Sequence, residues 1–182
     1  MPLRGRIDCS LPGRMPRQPR HLSVTMFICI VGICCPPASS VAQSRVRAAA
    51  PSRVAADVVK LTNVERTHYR RTALRANPRL MHAAQLQAEQ MAAASHMAHV
   101  LPEAPYPRME DRIAAADYRW QMLGENVAFG QASAAKVVDS WMHSSGHRTN
   151  ILNATFTEMG AGYAVDRSGR PYYVQVFGRP RS

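Results

Sequence analysis

Two histidines, His143 and His147, stand four residues apart in the stretch WMHSSGHRTN, with Ser144 and Ser145 between them. On an unbroken helix that spacing puts two imidazoles on one face, as a pair of zinc ligands requires. Gly146 and the serine pair argue for a break instead, so the two rings are not expected to act together. His143 then reads as an exposed helix end, where an imidazole suits the negative end of the helix dipole. A serine beside a histidine also offers a nucleophile and its base. Ser144 and Ser145 lie in no nucleophile-elbow sequence, however, and a serine next to glycine in a turn serves more often as a cap.

Thiolate chemistry depends on whether the N-terminal segment is retained. All four cysteines, Cys9, Cys29, Cys34 and Cys35, fall near the N-terminus, in and before the apolar run VTMFICIVGICC. That run follows Arg17, Arg20 and His21 and precedes PPASSVAQ, in which Ser40 and Ala42 are the small residues of a cleavage site. The segment reads as a secretory signal peptide; its apolar run falls well short of the roughly 20 residues that a membrane-spanning helix needs. Met15 leaves a short basic leader before the run and competes with Met1 as the start. Cleavage after Ala42 would leave an exported protein, secreted or periplasmic, with no transmembrane helix, no disulfide and no thiolate metal site.

The basic excess, 23 Lys and Arg against 12 Asp and Glu, raises the question of nucleic acid. Five of those arginines belong to the leader, and the rest are dispersed with no run longer than Arg70-Arg71. Dispersed charge on an exported chain argues against a nucleic-acid partner.

The elements that must position any site follow from periodicity. Residues 1–42 are leader and signal, 43–53 a Pro-, Ser- and Ala-containing linker, and 54–182 one domain, expected to be a monomer. Val54, Val58, Leu61 and Val64 predict a first helix to about Thr72, with Arg66 among its polar positions. Asn77 and Pro78 open a second, whose Leu80, Ala84, Ala88 and Met91 share a face, and which ends near Ser95. Three prolines then impose a long loop with a short helix at RMEDRIAAA. QMLGENVAFG predicts a short strand or extended crossover, and Ser133 caps a third helix through Trp141. Alternation on both sides of DRSG predicts a hairpin. Helices first and strands last give an α+β fold with helices packed on an antiparallel sheet.

GENVAFG at 124–130, WMHSSGHRTNILN at 141–153, FTEMGAGYA at 156–164 and YVQVFG at 173–178, in this order, resemble the CAP superfamily, the cysteine-rich secretory/antigen 5/pathogenesis-related domain, in its bacterial branch. LTNVER and NPRLMHAAQLQAEQMA match its first two helices, so the resemblance covers roughly Leu61 to Gly178. It implies a three-layer α-β-α sandwich with a central antiparallel sheet, and a cleft gathering two histidines and two glutamates. Glu125 and His147 match that set, and His99 of the pair Ala98-His99 is the other histidine, with His96 the alternative because the loop departs from the family pattern. The second glutamate is missing. Ser144 stands where eukaryotic members carry it, and Glu158 is the substitute considered. Arg148 also replaces the aromatic residue usual in eukaryotic members.

Two imidazoles with Glu125 orienting one of them make a weak, open zinc site. The same three residues also suit a polar network that only holds helices to the sheet. Two functions follow: a non-catalytic binding module holding a metal, a lipid or another envelope ligand, or a metal-assisted hydrolase or protease drawing on His99, Glu125, His147, Ser144 or Glu158. The missing glutamate favours the first. Trp141, Tyr163 and Phe177 read as core, and Asn126, Asn150 and Asn153 as locks on loops.

Overall fold

A computed structural model describes residues 52–181. The leader, its cysteines, the cleavage site at Ala42 and nearly all of the linker lie outside the described residues.

Helix α1 spans Arg53–His68, and its start is fixed by Ser52, whose hydroxyl accepts the Ala55 N–H at 3.1 Å. It buries Ala55, Val58, Val59, Thr62 and Arg66. The stripe is rotated from the expected one, since Val64 is 55% exposed and Arg66 points inward. Arg66 turns in because carbonyls outside regular ladders need donors: its guanidinium serves Thr72 O, Ile151 O and Asn153 O. The helix also ends before Thr72, where Arg70 takes a left-handed conformation at φ 55°.

The two-residue strand β1, Arg75–Ala76, leads into α2, Pro78–Ala94. Asn77 caps α2 by accepting from Arg79 N, Pro78 occupies the first turn, and Leu80, Ala84, Ala88 and Met91 are buried as the periodicity predicts. After the proline-containing loop comes α3, Met109–Ala115, followed by β2, Trp120–Phe129, a full strand of ten residues. Helix α4, Ala134–Met142, is capped by the Ser133 hydroxyl and buries Val137, Val138 and Trp141. The break expected after Trp141 is real, but α5, Ser145–Leu152, follows it at once. The sequence reading has no helix there, because Ile151 alone is buried and no apolar period marks it. Strands β3, Glu158–Val165, and β4, Pro171–Pro180, form the predicted hairpin across Asp166, whose Oδ1 accepts from Ser168 N and Arg170 N.

The sheet order is β1-β3-β4-β2. The three long strands are antiparallel, as expected, and β1 adds a short parallel pairing to β3. Both faces are covered. Met159, Ala161, Tyr173 and Phe177 pack with α1, α4 and α5, while Tyr172, Val174 and Val176 pack with α2 and α3. The result is the three-layer α-β-α sandwich.

Helix α2 lies directly on β3 because Gly160 and Gly162 present no side chain to it. A Cβ on Gly160 would stand 2.1 Å from the Leu80 carbonyl carbon, and one on Gly162 would stand 2.2 Å from the Ala84 oxygen. Backbone cannot move aside as a side chain can, so Gly160→Ala should destabilise the fold by about 3 kcal/mol, the upper end of ordinary overpacking. Gly146→Ala, in α5 with open space around it, should instead stabilise by about 0.5 kcal/mol. Urea denaturation of the two variants checks the opposite signs.

Candidate functional site

Strand β2 is an edge of the sheet, and its backbone decides which groups face outward. Gly130 N donates to Pro171 O, so even-numbered residues of β2 hydrogen-bond to β4 and odd-numbered ones turn their amides away from it. The outward carbonyl of Glu125 accepts from Asn150 Nδ2 and that of Val127 from Trp141 Nε1. Side chains of α5 and α4 thereby cover an edge that would otherwise be open.

The Glu125 side chain is only 3% exposed, and both of its oxygens are engaged. Oε2 accepts from Arg112 Nη2 at 2.8 Å, and Oε1 lies 2.9 Å from His99 Nδ1. Arg112, in α3, is itself buried, and the same guanidinium reaches the carbonyls of Tyr106, Pro107 and His99. It ties the proline-containing loop that carries His99 to the carboxylate on the sheet. Gln87 of α2 secures the neighbouring turn by donating to Ala98 O at 2.6 Å. The sequence reading misses Arg112. Its one signal is position: it sits beside Ile113 on the inward side of a short helix.

His147 arrives on α5 from the other side of β2. Its carbonyl accepts from Asn126 Nδ2, which also donates to Gln175 Oε1, and Gln175 in turn donates to Thr62 of α1. Asn150 completes the lock by donating to Asn126 Oδ1. Asn126 is therefore a fully buried tie between sheet and helices rather than a lock within one loop, whereas Asn153 does hold its own turn through Thr155 N.

The two imidazoles are shifted in opposite directions. Glu125 raises the pKa of His99, chiefly through the hydrogen bond, against an opposing effect of burial. Burial, then the nearby His99, lowers that of His147. With Nδ1 of His99 donating to the carboxylate, Nε2 is left as the lone-pair nitrogen.

The remaining candidates lie elsewhere. His96 is exposed just beyond α2, and only its backbone N–H is bonded, to Met91 O, so His99 is the histidine that meets Glu125. His143 caps the end of α4, exposed, with Nδ1 on Asp139 O. Ser144 occupies the N-cap position of α5 without a side-chain cap bond. Among the described residues neither Ser144 nor Ser145 has its hydroxyl bonded to an imidazole. Glu158 does not join the cleft residues, because its buried carboxylate is taken by Arg75, Asn77 and Tyr118 where β1 and α2 meet β3. Trp141 and Phe177 are core, and Tyr163 is half-buried against it.

A metal held by three or more protein ligands does not fit this arrangement: among the described residues no group of three His, Cys, Asp or Glu side chains could hold one. What remains is a pair of imidazoles with a carboxylate already committed to its own partners.

Residues 59–177 match the family model described as CAP, cysteine-rich secretory protein family. The chain belongs to the CAP family. YkwD of Bacillus subtilis is 35% identical over 133 residues, 71% of this chain and 50% of its own length. An extracellular SCP-domain protein from Bacillus anthracis superposes with a TM-score of 0.61 at 26% identity, over 68% of this chain and 39% of that one. An outer surface protein from Borrelia burgdorferi shares the fold at a TM-score of 0.61 and 18% identity, over 68% of this chain and 90% of that one. This CAP chain thus spans about half the length, or less, of the Bacillus proteins it matches.

The opposite shifts of the two histidines are open to measurement. His99, with its raised pKa, contributes stability that is present below the ordinary histidine value and lost as pH rises through its own higher one. His147 does the reverse, contributing above the ordinary value and losing that contribution as pH falls through its own lower one. Imidazole resonances followed by NMR should titrate above the ordinary value for His99 and below it for His147. Glu125→Gln should bring His99 down, and His99→Gln should bring His147 up; two coincident midpoints would contradict the arrangement.

Proposed function

We propose that this CAP domain is an exported, non-catalytic binding module whose open cleft, between His99 and His147, takes a divalent metal of the zinc type or a polar envelope ligand such as a lipid headgroup. The observation that carries this reading is the state of Glu125. To act as a general base Glu125 would need a free carboxylate oxygen, and here Arg112 takes one and His99 the other. No serine hydroxyl among the described residues is bonded to a histidine, so no Ser–His pair is formed beside the engaged carboxylate. Export is supported by the basic leader and apolar run ahead of Ala42, and by relatives described as extracellular or outer-surface proteins.

In this reading His99 Nε2 and the His147 ring would hold the metal, whose chemistry is to offer its remaining positions to water or a ligand donor. Glu125 orients His99 and keeps its proton on Nδ1. Burial keeps His147 neutral and able to donate a lone pair.

Zinc titration calorimetry tests this. His99→Ala and His147→Ala should each abolish most binding, and the double substitution should add little. Glu125→Gln should weaken it by roughly 10- to 100-fold, as loss of an orienting partner does. Affinity should decline on acidification, beginning above the ordinary histidine range because His99 holds its proton there. Casein and simple esters should not be hydrolysed. Wild-type zinc affinity in His147→Ala, or an esterase activity abolished by Ser145→Ala, would overturn the reading.

A further inference from the structure

A concavity lies apart from His99, Glu125 and His147 and is lined by none of these three side chains. It is an open groove of about 590 Å³ along the outer face of α5, bounded by Arg71 beyond the end of α1 and by Arg148, Ser145 and Leu152 of α5, with Met142 of α4 among its lining residues. Its charge is one-sided. No Asp or Glu lines it, neither Arg71 nor Arg148 has a carboxylate partner among the described residues, and Asp139 is engaged with His143 at the groove's edge.

Arg148 is also held in place. Its guanidinium carbon lies over the Tyr69 ring, 4.7 Å from the centre, a cation–π contact that restrains the exposed side chain. Arg71 is set by the turn that ends α1, in which its N–H donates to Arg66 O. Buried Arg66 behind it adds a third positive charge, whose own pKa is lowered by burial and then by Arg71. Three cations with no acid among them favour an anion. Arg148 stands where the resemblance places an aromatic residue in eukaryotic members.

We propose that this groove binds a phosphate ester. Two guanidiniums from separate elements, one of them pre-oriented, suit a tetrahedral anion with several oxygens and up to two charges, and the exposed Ser145 hydroxyl adds a donor. Met142 and Leu152 offer apolar contact to the carbon body behind the phosphate. The phosphate can reach the groove on a soluble metabolite or on a lipid headgroup, and the chemistry of recognition is the same.

The test is glycerol 3-phosphate titrated into the full chain, metal-free, with amide and arginine side-chain NMR shifts as readout. Saturable shifts should be confined to α5 and the exit of α1, and glycerol should produce none. Arg71→Gln and Arg148→Gln should each weaken binding by about tenfold, the scale of one charge-assisted contact, with Arg148→Lys intermediate. Both side chains are exposed, so the variants should fold, and zinc titration of the same variants should be unchanged, which separates this site from the cleft. Sedimentation with phosphatidylcholine vesicles, with and without phosphatidylglycerol, identifies the source: dependence on phosphatidylglycerol that Arg148→Gln removes assigns a lipid headgroup, and its absence alongside glycerol 3-phosphate binding assigns a soluble ester. No saturable shift together with no phosphatidylglycerol dependence, or binding equal to wild type in both glutamine variants, would overturn the proposal.

Discussion

A buried ion pair, Arg112 with Glu125, is the interaction on which the cleft depends. Both side chains are almost wholly removed from water, at 1% and 3% exposure, and a charge so placed costs several kcal/mol to desolvate. The pair is tolerable because its hydrogen-bonding capacity is nearly filled: the carboxylate has two partners, and the guanidinium reaches three loop carbonyls besides. Only Arg112 Nε is left without a partner. Once the pair forms, the loop between α2 and α3 has its anchor, and His99 is delivered to Glu125 as a consequence. The same saturation that lets the pair be buried leaves both carboxylate oxygens engaged.

The other half of the cleft rests on polar groups doing for an edge strand what a further strand would do elsewhere. Asn150 and Trp141 cover two outward carbonyls of β2, while Asn126 ties α5 to β4 through Gln175 and onward to Thr62. Helix α5 fully buries one apolar side chain, Ile151, so hydrophobic packing holds it at a single point. These amide bonds and the Arg66 contacts to Ile151 O and Asn153 O fix the rest of its position. A helix held in this way is free to carry polar residues over the rest of its surface.

That physics also explains what was legible in the sequence. Helix α2 and the β3-β4 hairpin could be read because each buries a regular apolar face and carries its own punctuation, Asn77-Pro78 in one case and the Asp166 turn in the other. Helix α5 and β1 could not, since one is held by side-chain amides and the other by two residues of pairing. Arg66 and Arg112 look like surface residues by type, and only the carbonyls and carboxylate brought to them from distant parts of the chain turn them inward. Among the cleft residues, the pairing of His99 with Glu125 came from family resemblance, not from spacing. Resemblance could not say that Glu158 would be occupied at the other end of the sheet, because Arg75, Asn77 and Tyr118 meet it only after β1 pairs with β3.

The placement of α5 gives adjacent residues different surroundings. Successive side chains on a helix diverge by about 100°, so His147 comes near His99 while Arg148 lies in the outer groove against Tyr69. Because Asn126 grips α5 through the His147 carbonyl and Asn150 grips it through a side chain one turn on, neither anchor uses the groove face. Residues on that face, Arg148 among them, can therefore vary without loosening the cleft. The sheet and its amide ties set where α5 lies; the side chains on its outer face are left to set which ligand that surface attracts.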